Sequence, residues 1–457
     1  MVRGKVDQIW KTRFGERSLD FRPRDFVGVE DDRDALHSPS LGAREGRLEA
    51  VIDINLLREQ PEAIKASQVA RGADVSLVDQ AVKLDLDKRA ALAEFERLRA
   101  AQNQHGKLVA TAPKEDKAAL VAQGQEMAVA VKAADAAANA ADEALTKILY
   151  KIENVVIEDV PAGGEENFAL VKEVGTIPTF SFEPKDHAEL GELLDVIDIE
   201  RGVKISGSRF YFLKGWGARL ELAMMQLAMD QATEAGFTVL ITPTLVKPEV
   251  MQGTGFLGEH ADEIYYLPAD ELYLTGTSEV ALAGYHADEI IDVSNGPVRY
   301  AGWSTCYRRE AGSYGKDTKG MIRQHQFDKV EIVQITHPEK SYETLESMSA
   351  YVQGLLQKLE LPYRVLRLCG GDMGFTSALT YDMEVYSAAQ ERWLEVSSVS
   401  NFETYQTNRL KLRFKGEDKK TQLAHSLNGS ALALPRIVAS ILENNQTPDG
   451  ILMPKVL

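Results

Sequence analysis

From Leu120 to Val155 the chain repeats an apolar or small residue at steps of three and four only: Leu120, Gly124, Met127, Val131, Ala134, Ala138, Ala141, Leu145, Ile148, Ile152 and Val155. That period belongs to a helix with one continuous stripe to bury. An upstream series keeps a looser version of the same rhythm through Leu77, Ala81, Leu84, Ala91, Phe95 and Leu98, with Lys88 and Gln102 interrupting the seam. Between the two lies Thr111-Ala112-Pro113, a helix breaker. Two stripes joined by a short turn predict an antiparallel hairpin with limbs of roughly 50 Å at about 1.5 Å per residue. The alanines of the second seam let the two backbones approach closely. Taken alone, such a hairpin reads as a dimerisation or spacer element. Lys88, Arg89, Arg97, Arg99, Lys107, Lys114, Lys117 and Lys132 offer cations for phosphates, but Glu94, Glu96 and Glu115 make a solvated face equally consistent.

Residues 1–50 show no sustained period and mix Arg22, Arg24 and Arg33 with Asp25, Asp31, Asp32 and Asp34. They read as a disordered extension or a mis-assigned start, since orderly sequence begins at Val51 and valine can be encoded by an alternative start codon. The segment is too acidic for an ordinary organelle transit peptide. Pro61 marks the start of a first helix. Over the whole chain 52 basic residues face 69 acidic ones, a net charge of −17. A protein that coats nucleic acid with its entire surface is excluded, and any RNA contact must use local basic patches. No run is long and apolar enough for a membrane span, and Cys306 and Cys369 form no disulfide framework. A cytoplasmic protein is expected.

Past Pro161 the texture changes to helices interleaved with short strands such as Glu263–Leu267 and Lys329–Val333. Strict strand–helix alternation is missing, so an α+β domain built on an antiparallel sheet with packed helices is predicted. Neither a GxxxxGK[ST] loop nor a GxGxxG dinucleotide fingerprint opening a helix is present, so ATP binding would need another architecture.

The densest stretch is Tyr307-Arg308-Arg309-Glu310-Ala311-Gly312, followed by Gly320-Met321-Ile322-Arg323-Gln324-His325-Gln326-Phe327-Asp328-Lys329-Val330-Glu331. It resembles motif 2 of the class II aminoacyl-tRNA synthetases. Gly236-Phe237 through Pro243 resembles motif 1, the dimer-interface element, and Gly429-Ser430-Ala431-Leu432-Ala433-Leu434-Pro435-Arg436 resembles motif 3. The order of all three, with Thr277-Ser278-Glu279 between the first two and Gly371-Asp372-Met373-Gly374 later, is similar to the bacterial type of seryl-tRNA synthetases over residues 51–457. The resemblance implies a tRNA-binding helical arm over 51–160 and a catalytic domain over 161–457. It implies adenylation of L-serine by ATP, then transfer to tRNA(Ser) and tRNA(Sec), in a homodimer.

In that chemistry a carboxylate attacks the α-phosphorus while charge builds on phosphate oxygens, so positioning and electrostatics carry the catalysis. By resemblance Arg308 and Arg436 are the catalytic arginines. Arg308 holds the α-phosphate and the substrate carboxylate, Glu310 accepts from the adenine amino group, and Phe327 stacks on the ring. Arg436 covers the other side of adenine and reaches the γ-phosphate with Arg323. Arg309, Gln324, Val396 and Ser397 complete the ATP contacts. Glu395 and Ser398 are the implied Mg²⁺ ligands, with no zinc expected. Strict alternation in Leu394-Glu395-Val396-Ser397-Ser398 separates Glu395 from Ser398, so a twist or bend must bring them together. The serine pocket falls to Thr277, Ser278, Glu279, Arg308, Glu331, Asn428 and Ser430, two carboxylates suiting an ammonium and a hydroxyl. Each residue alone also fits an ordinary role: Arg308–Glu310 a strand ion pair, Phe327 a core aromatic, Cys306 a buried small residue, His325 a structural histidine.

Other class II enzymes share the three motifs. Only a short segment follows Arg436, which leaves no room for the C-terminal anticodon-binding domain of the prolyl, threonyl and histidyl types. Two cysteines without a Cys/His ligand set disfavour the zinc-dependent types. A ligase charging a carrier protein and a non-enzymatic coiled-coil protein with a decayed catalytic domain are the alternatives. Intact Arg308, Glu310, Glu395 and Arg436 oppose decay.

Overall fold

The computed structural model describes residues 52–258, 261–311 and 320–457. The expectations for residues 1–50 lie outside the described residues.

Two short helices, α1 (Ile54–Glu59) and α2 (Pro61–Arg71), precede the hairpin. Pro61, expected to start the first helix, opens the second, because Asp53 caps an earlier one. Gly72, at φ 71°, closes α2 in the left-handed conformation that glycine adopts without strain. The limbs are α3 (Ser76–Thr111) and α4 (Lys117–Leu149). Every seam residue predicted between Leu120 and Ile148 is buried or half-buried, and Ala91, Phe95 and Leu98 face it. The interrupting Lys88 is accommodated by an ion pair to Asp142 at 2.5 Å. Near the far end the His105 ring bonds the Leu120 carbonyl at 2.7 Å.

At the root the stripe differs from the expected one. Val78, Ala81 and Asp85 are the fully buried residues of α3, while Leu77 and Leu84 are half-buried. The cause is that α3 packs on α1 and α2 as well as on α4, and Asp85 is held by Arg58 at 2.7 Å and Arg89 at 3.0 Å. Of the candidate arm cations, Lys88, Arg89 and Arg97 thus have carboxylate partners, and Lys107, Lys114 and Lys117 are exposed toward the turn.

The part of the chain after the hairpin is built on an eight-stranded sheet. In chain order its strands are β1 (Ala169–Val174), β2 (Thr238–Ile241), β3 (Val298–Tyr307), β4 (Gln326–Thr336), β5 (Tyr363–Arg367), β6 (Leu379–Ser387), β7 (Arg392–Glu403) and β8 (His425–Ala433). Across the sheet they run β1-β5-β6-β7-β8-β4-β3-β2. All neighbours are antiparallel except β2, which runs parallel to β3 at the edge. The expected strand Lys329–Val333 lies inside β4. The expected strand Glu263–Leu267 is reduced to Tyr266–Leu267, because Ala261–Glu263 coils into a 3₁₀ turn whose Ala261 carbonyl takes the Ile264 N–H at 3.2 Å.

Alternation in β4 sets the layers. Val330 and Ile332 enter a core shared with Met224 and Met225 of α6 (Trp216–Glu234), Leu345 and Met348 of α8 (Ser341–Lys358), and Ile437 and Ile441 of α10 (Leu434–Asn444). Lys329 and Glu331 point to the opposite face. The arm root docks on the sheet through polar plugs. Asn154 Nδ2 donates to the Thr376 carbonyl at 2.8 Å and the Phe402 carbonyl at 3.0 Å. Buried Arg71 donates to the Asn154 carbonyl at 2.8 Å, to Glu153 at 3.0 Å and to the Ser377 carbonyl. Apolar residues of both parts, including Ile64, Leu145, Ile152, Phe402 and Tyr405, close around them.

Candidate active site

Glu279 begins the short helix α7 (Glu279–Ala283) and is 5% exposed. Gln406, on α9 (Tyr405–Arg409), donates through Nε2 to its Oε1 at 2.7 Å, and the Asn428 side-chain amide donates to its Oε2. The same Asn428 amide donates to Glu331 Oε1 at 3.0 Å, so one nitrogen bridges two carboxyl groups. Ser430, which faces Glu331 in the β4–β8 register, donates to Glu331 Oε2 at 3.3 Å, and Lys329 Nζ lies 2.5 Å from that oxygen. Burial first, and the Glu331 charge second, push Glu279 up to about 7. The pocket therefore holds one carboxylate already paired with a lysine and one whose proton is loosely held near neutrality. A small ligand bringing an ammonium and a hydroxyl matches both. Thr277 is buried beside them, its Oγ1 taking the Glu279 N–H at 3.2 Å, whereas the Ser278 hydroxyl is committed to the Gly302 carbonyl at 2.9 Å.

Arg308 joins this pocket to a cluster of arginines. Its Nε donates to the Gly276 carbonyl at 3.2 Å, next to Thr277, and its guanidinium lies 5.4 Å from the centre of the Phe327 ring. β3 and β4 bring the two residues together, and His325 pins the junction: its ring bonds the Arg308 carbonyl at 2.9 Å and its own carbonyl takes the Arg308 N–H at 3.0 Å. Arg323 Nη1 lies 3.5 Å from Glu310 Oε2, and Glu310 sits at φ 50° in the left-handed region. Gln324 is buried and donates to the Gly320 carbonyl at 2.7 Å. Arg309 stands apart, exposed, with its charge beside Tyr265.

The required bend in β7 is a β-bulge. Asp382 of β6 faces Ser398 and Glu384 faces Glu395, leaving Val396 as the extra residue. Asp382 and Glu384 share a face by alternation, so their partners Ser398 and Glu395 do as well. Val396 and Ser397 turn inward instead: Val396 is 2% exposed in the core and Ser397 donates to the Ser430 carbonyl. Any contact of Val396 with a ligand would be through its backbone. Arg436, at the start of α10, donates to the Glu395 carbonyl at 2.6 Å and lies 3.2 Å from its Oε2. Partial burial pushes the Glu395 carboxyl up, but Arg436, Arg308 and Arg323 outweigh it and hold the group below its usual value. Asp382 is pushed well up by burial and by the Glu395 charge. Its Oδ1 is buried with no hydrogen-bond partner, the mark of an oxygen suited to a cation. No cluster of three or more His, Cys, Asp or Glu side chains placed for a metal ion occurs among the described residues. The donors at hand are two carboxyl groups and one hydroxyl, a hard-oxygen set that fits Mg²⁺ when phosphate oxygens complete it.

Sequence reasoning missed Gln406, Lys329 and Asp382. Lys329 was findable, since it lies two residues before Glu331 on the same strand face. Gln406 and Asp382 reach the site from distant strands and helices and carry no local signal.

An antiparallel sheet with arginines grouped over one face and the motif order described is the core of a class II aminoacyl-tRNA synthetase: the family model for the tRNA synthetase class II core domain (G, H, P, S and T) matches residues 266–445. The model for the seryl-tRNA synthetase N-terminal domain matches residues 51–156. The chain belongs to the serine–tRNA ligase family. It is 53% identical over 408 residues to the serine–tRNA ligase of Clavibacter michiganensis subsp. michiganensis, covering 89% of this chain and 96% of the relative. It is 54% identical over 408 residues to that of Leifsonia xyli subsp. xyli, with the same coverage of 89% and 96%. Among solved structures, the seryl-tRNA synthetase of Pyrococcus horikoshii complexed with ATP superposes with a TM-score of 0.83 at 36% identity, over 89% of this chain and 97% of that one. The cytoplasmic serine–tRNA ligase of Naegleria fowleri in complex with AMP gives 0.80 at 31% identity, over 88% and 95%.

Proposed function

We propose that the two halves of the site perform the two binding tasks of serine activation. The observation that carries this reading is the continuity of the site: the buried Glu279–Asn428–Glu331 pocket runs through Gly276 and Arg308 into the arginines around Glu395. Serine lies with its ammonium at Glu279 and its hydroxyl among Glu331, Asn428, Ser430 and Thr277. Such a pocket rejects alanine, which would leave its buried polar groups unpaired. Arg308 holds the serine carboxylate against the α-phosphate, and charge growing on the phosphate oxygens in the transition state meets a guanidinium already in place. The carboxylate oxygen attacks the α-phosphorus and pyrophosphate leaves, giving seryl-adenylate; a 3′-terminal ribose hydroxyl of tRNA then attacks the acyl carbon and AMP leaves. Phe327 and Arg436 sandwich adenine, Glu310 reads its amino group, and Arg323 and Arg436 reach the γ-phosphate. Mg²⁺ held by Glu395 and Ser398, with Asp382 beside them, would neutralise phosphate charge.

The partition assigned is residues 51–160 as tRNA-binding arm and 161–457 as catalytic domain. Exposed Lys107, Lys114 and Lys117 and the surface ion-paired Arg97 supply cations for phosphates. Contacts of that kind follow backbone shape, so tRNA(Sec) of similar shape would be accepted beside tRNA(Ser). A homodimer is supported by the β2 edge, where Ile241 is 80% exposed, and by Leu222 on the neighbouring helix at 61%. Two buried free thiols, Cys306 and Cys369, suit the cytoplasm.

Replacing the outer part of the hairpin, residues 92–136, by a short linker tests the reading, because it leaves the root packed on Phe402 and Tyr405 in place. Serine-dependent exchange of pyrophosphate into ATP should survive and tRNA charging should be nearly lost. Mixed dimers of arm-deleted and Arg308→Ala subunits should recover charging if each tRNA spans both subunits. Normal charging by the arm-deleted enzyme at physiological salt would make the hairpin a spacer.

A further inference from the structure

His187 belongs to none of the three motifs, yet its ring lies between Met321 of motif 2 and the helix that continues from motif 3. It opens α5 (His187–Leu193) and is 2% exposed. The Met321 N–H donates to its Nε2 at 2.9 Å, and its Nδ1 lies 2.7 Å from Glu443 Oε1. A backbone N–H can only donate, so Nε2 carries the lone pair and Nδ1 the proton, which it gives to Glu443. The acceptor is itself fixed. Glu443 is fully buried, takes the His187 backbone N–H at 3.1 Å on the same oxygen, and accepts from the Ser387 hydroxyl on the other.

Both ends of this relay lead to arginines. Glu443 lies on α10 two turns beyond Arg436. Met321 follows Gly320, whose carbonyl accepts from Gln324 at 2.7 Å and so closes the turn that presents Arg323. Gly320 sits at φ 78°, and a Cβ there would fall 2.0 Å from His187 Nε2. Only glycine lets the backbone come this close to the imidazole.

We propose that His187, backed by Glu443, is a positioning residue that sets the spacing between Arg323 and Arg436 and thereby the grip on the polyphosphate of ATP. The proposal rests on the reading of those two arginines given above. A leucine at 187 leaves the buried Met321 N–H without an acceptor and removes the ring N–H from Glu443, which keeps only the His187 backbone N–H and the Ser387 hydroxyl, so the Met321 segment must shift to recover bonding. A glutamine keeps an acceptor within reach of Met321. The pocket around Glu279 is touched by neither.

The test is pyrophosphate exchange with the full-length enzyme, varying ATP at saturating serine and serine at saturating ATP, with thermal unfolding measured alongside. His187→Leu is expected to raise the KM for ATP about tenfold and the KM for serine less than about twofold, with His187→Gln recovering most of the loss. If His187→Leu does not fold, Glu443→Gln serves: it keeps the shape, removes the charge behind the imidazole, and should raise the ATP KM about threefold. Equal rises in both KM values, a lower Tm with unchanged KM values, or no advantage of glutamine over leucine would overturn the proposal, as would an unchanged ATP KM in Glu443→Gln. Arg323→Ala and Arg436→Ala separate the two layers. If they leave the ATP KM unchanged, the arginine reading fails; if they raise it and the His187 and Glu443 variants do not, the positioning role alone fails.

Discussion

The affinity for serine should depend on the protonation of Glu279, and the pH range follows from its surroundings. Burial and the Glu331 charge place its carboxyl at about 7. If the ammonium of serine needs the ionised form, the apparent KM scales with the inverse of the ionised fraction. That fraction is about one-eleventh at pH 6 and about ten-elevenths at pH 8, so the KM should fall about tenfold across the interval. Glu279→Gln keeps the shape and the bonds from Gln406 or Asn428 in part, but has no proton to lose. Its KM should be flat over the same range and raised about ten- to hundredfold at pH 8, the scale of a lost charge-assisted hydrogen bond. The ligand-free protein gives an independent readout. Its folded-state pKa lies above the reference 4.5, so the folded state favours the protonated form. Below pH 4.5 both states carry the proton and there is no cost; as pH rises toward 7 the unfolded chain ionises and the folded one does not, and stability declines by about 3 kcal/mol before levelling. Glu279→Gln should remove this slope from a pH series of thermal unfolding. A wild-type serine KM that is level from pH 6 to 8, or a Gln variant that keeps the wild-type profile, would refute the assignment of Glu279 to the ammonium.

Arg308→Ala should lower the rate of adenylate formation about 10²- to 10³-fold, the scale of one lost transition-state donor, as measured by pyrophosphate exchange; near-normal exchange removes it from the reaction. Asn154→Ala leaves the Thr376 and Phe402 carbonyls without their donor at the arm root and should cost about 2 kcal/mol in denaturant unfolding, with little effect on exchange. Asp382→Asn should raise the Mg²⁺ concentration needed for half-maximal exchange, because it removes negative charge beside Glu395 and Ser398; an unchanged Mg²⁺ titration excludes Asp382 from that site.

The sequence alone determined whatever depends on neighbours along the chain. The stripe from Leu120 to Ile148 and the turn at Pro113 are repeats of a local period, and the arm follows them closely. The family could be read because its motifs hold residues such as Arg308, Glu310 and Phe327 at short fixed spacings. Even there, strict alternation separated Glu395 from Ser398; one extra residue, Val396, reunites them, and a bulge is set by pairing with β6 and not by β7 itself. The root of the arm departed from its heptad because three helices, not one, compete for the faces of α3. Tertiary structure alone decided the support of the site. Gln406 meets Glu279, Asp382 meets Ser398 and His187 meets Met321 and Glu443 across long stretches of chain, each contact existing only once separate strands and helices have closed on one core. Backbone geometry propagates periodicity over a few residues, whereas a hydrogen bond between distant residues depends on the packing of everything between them, and no local pattern records it.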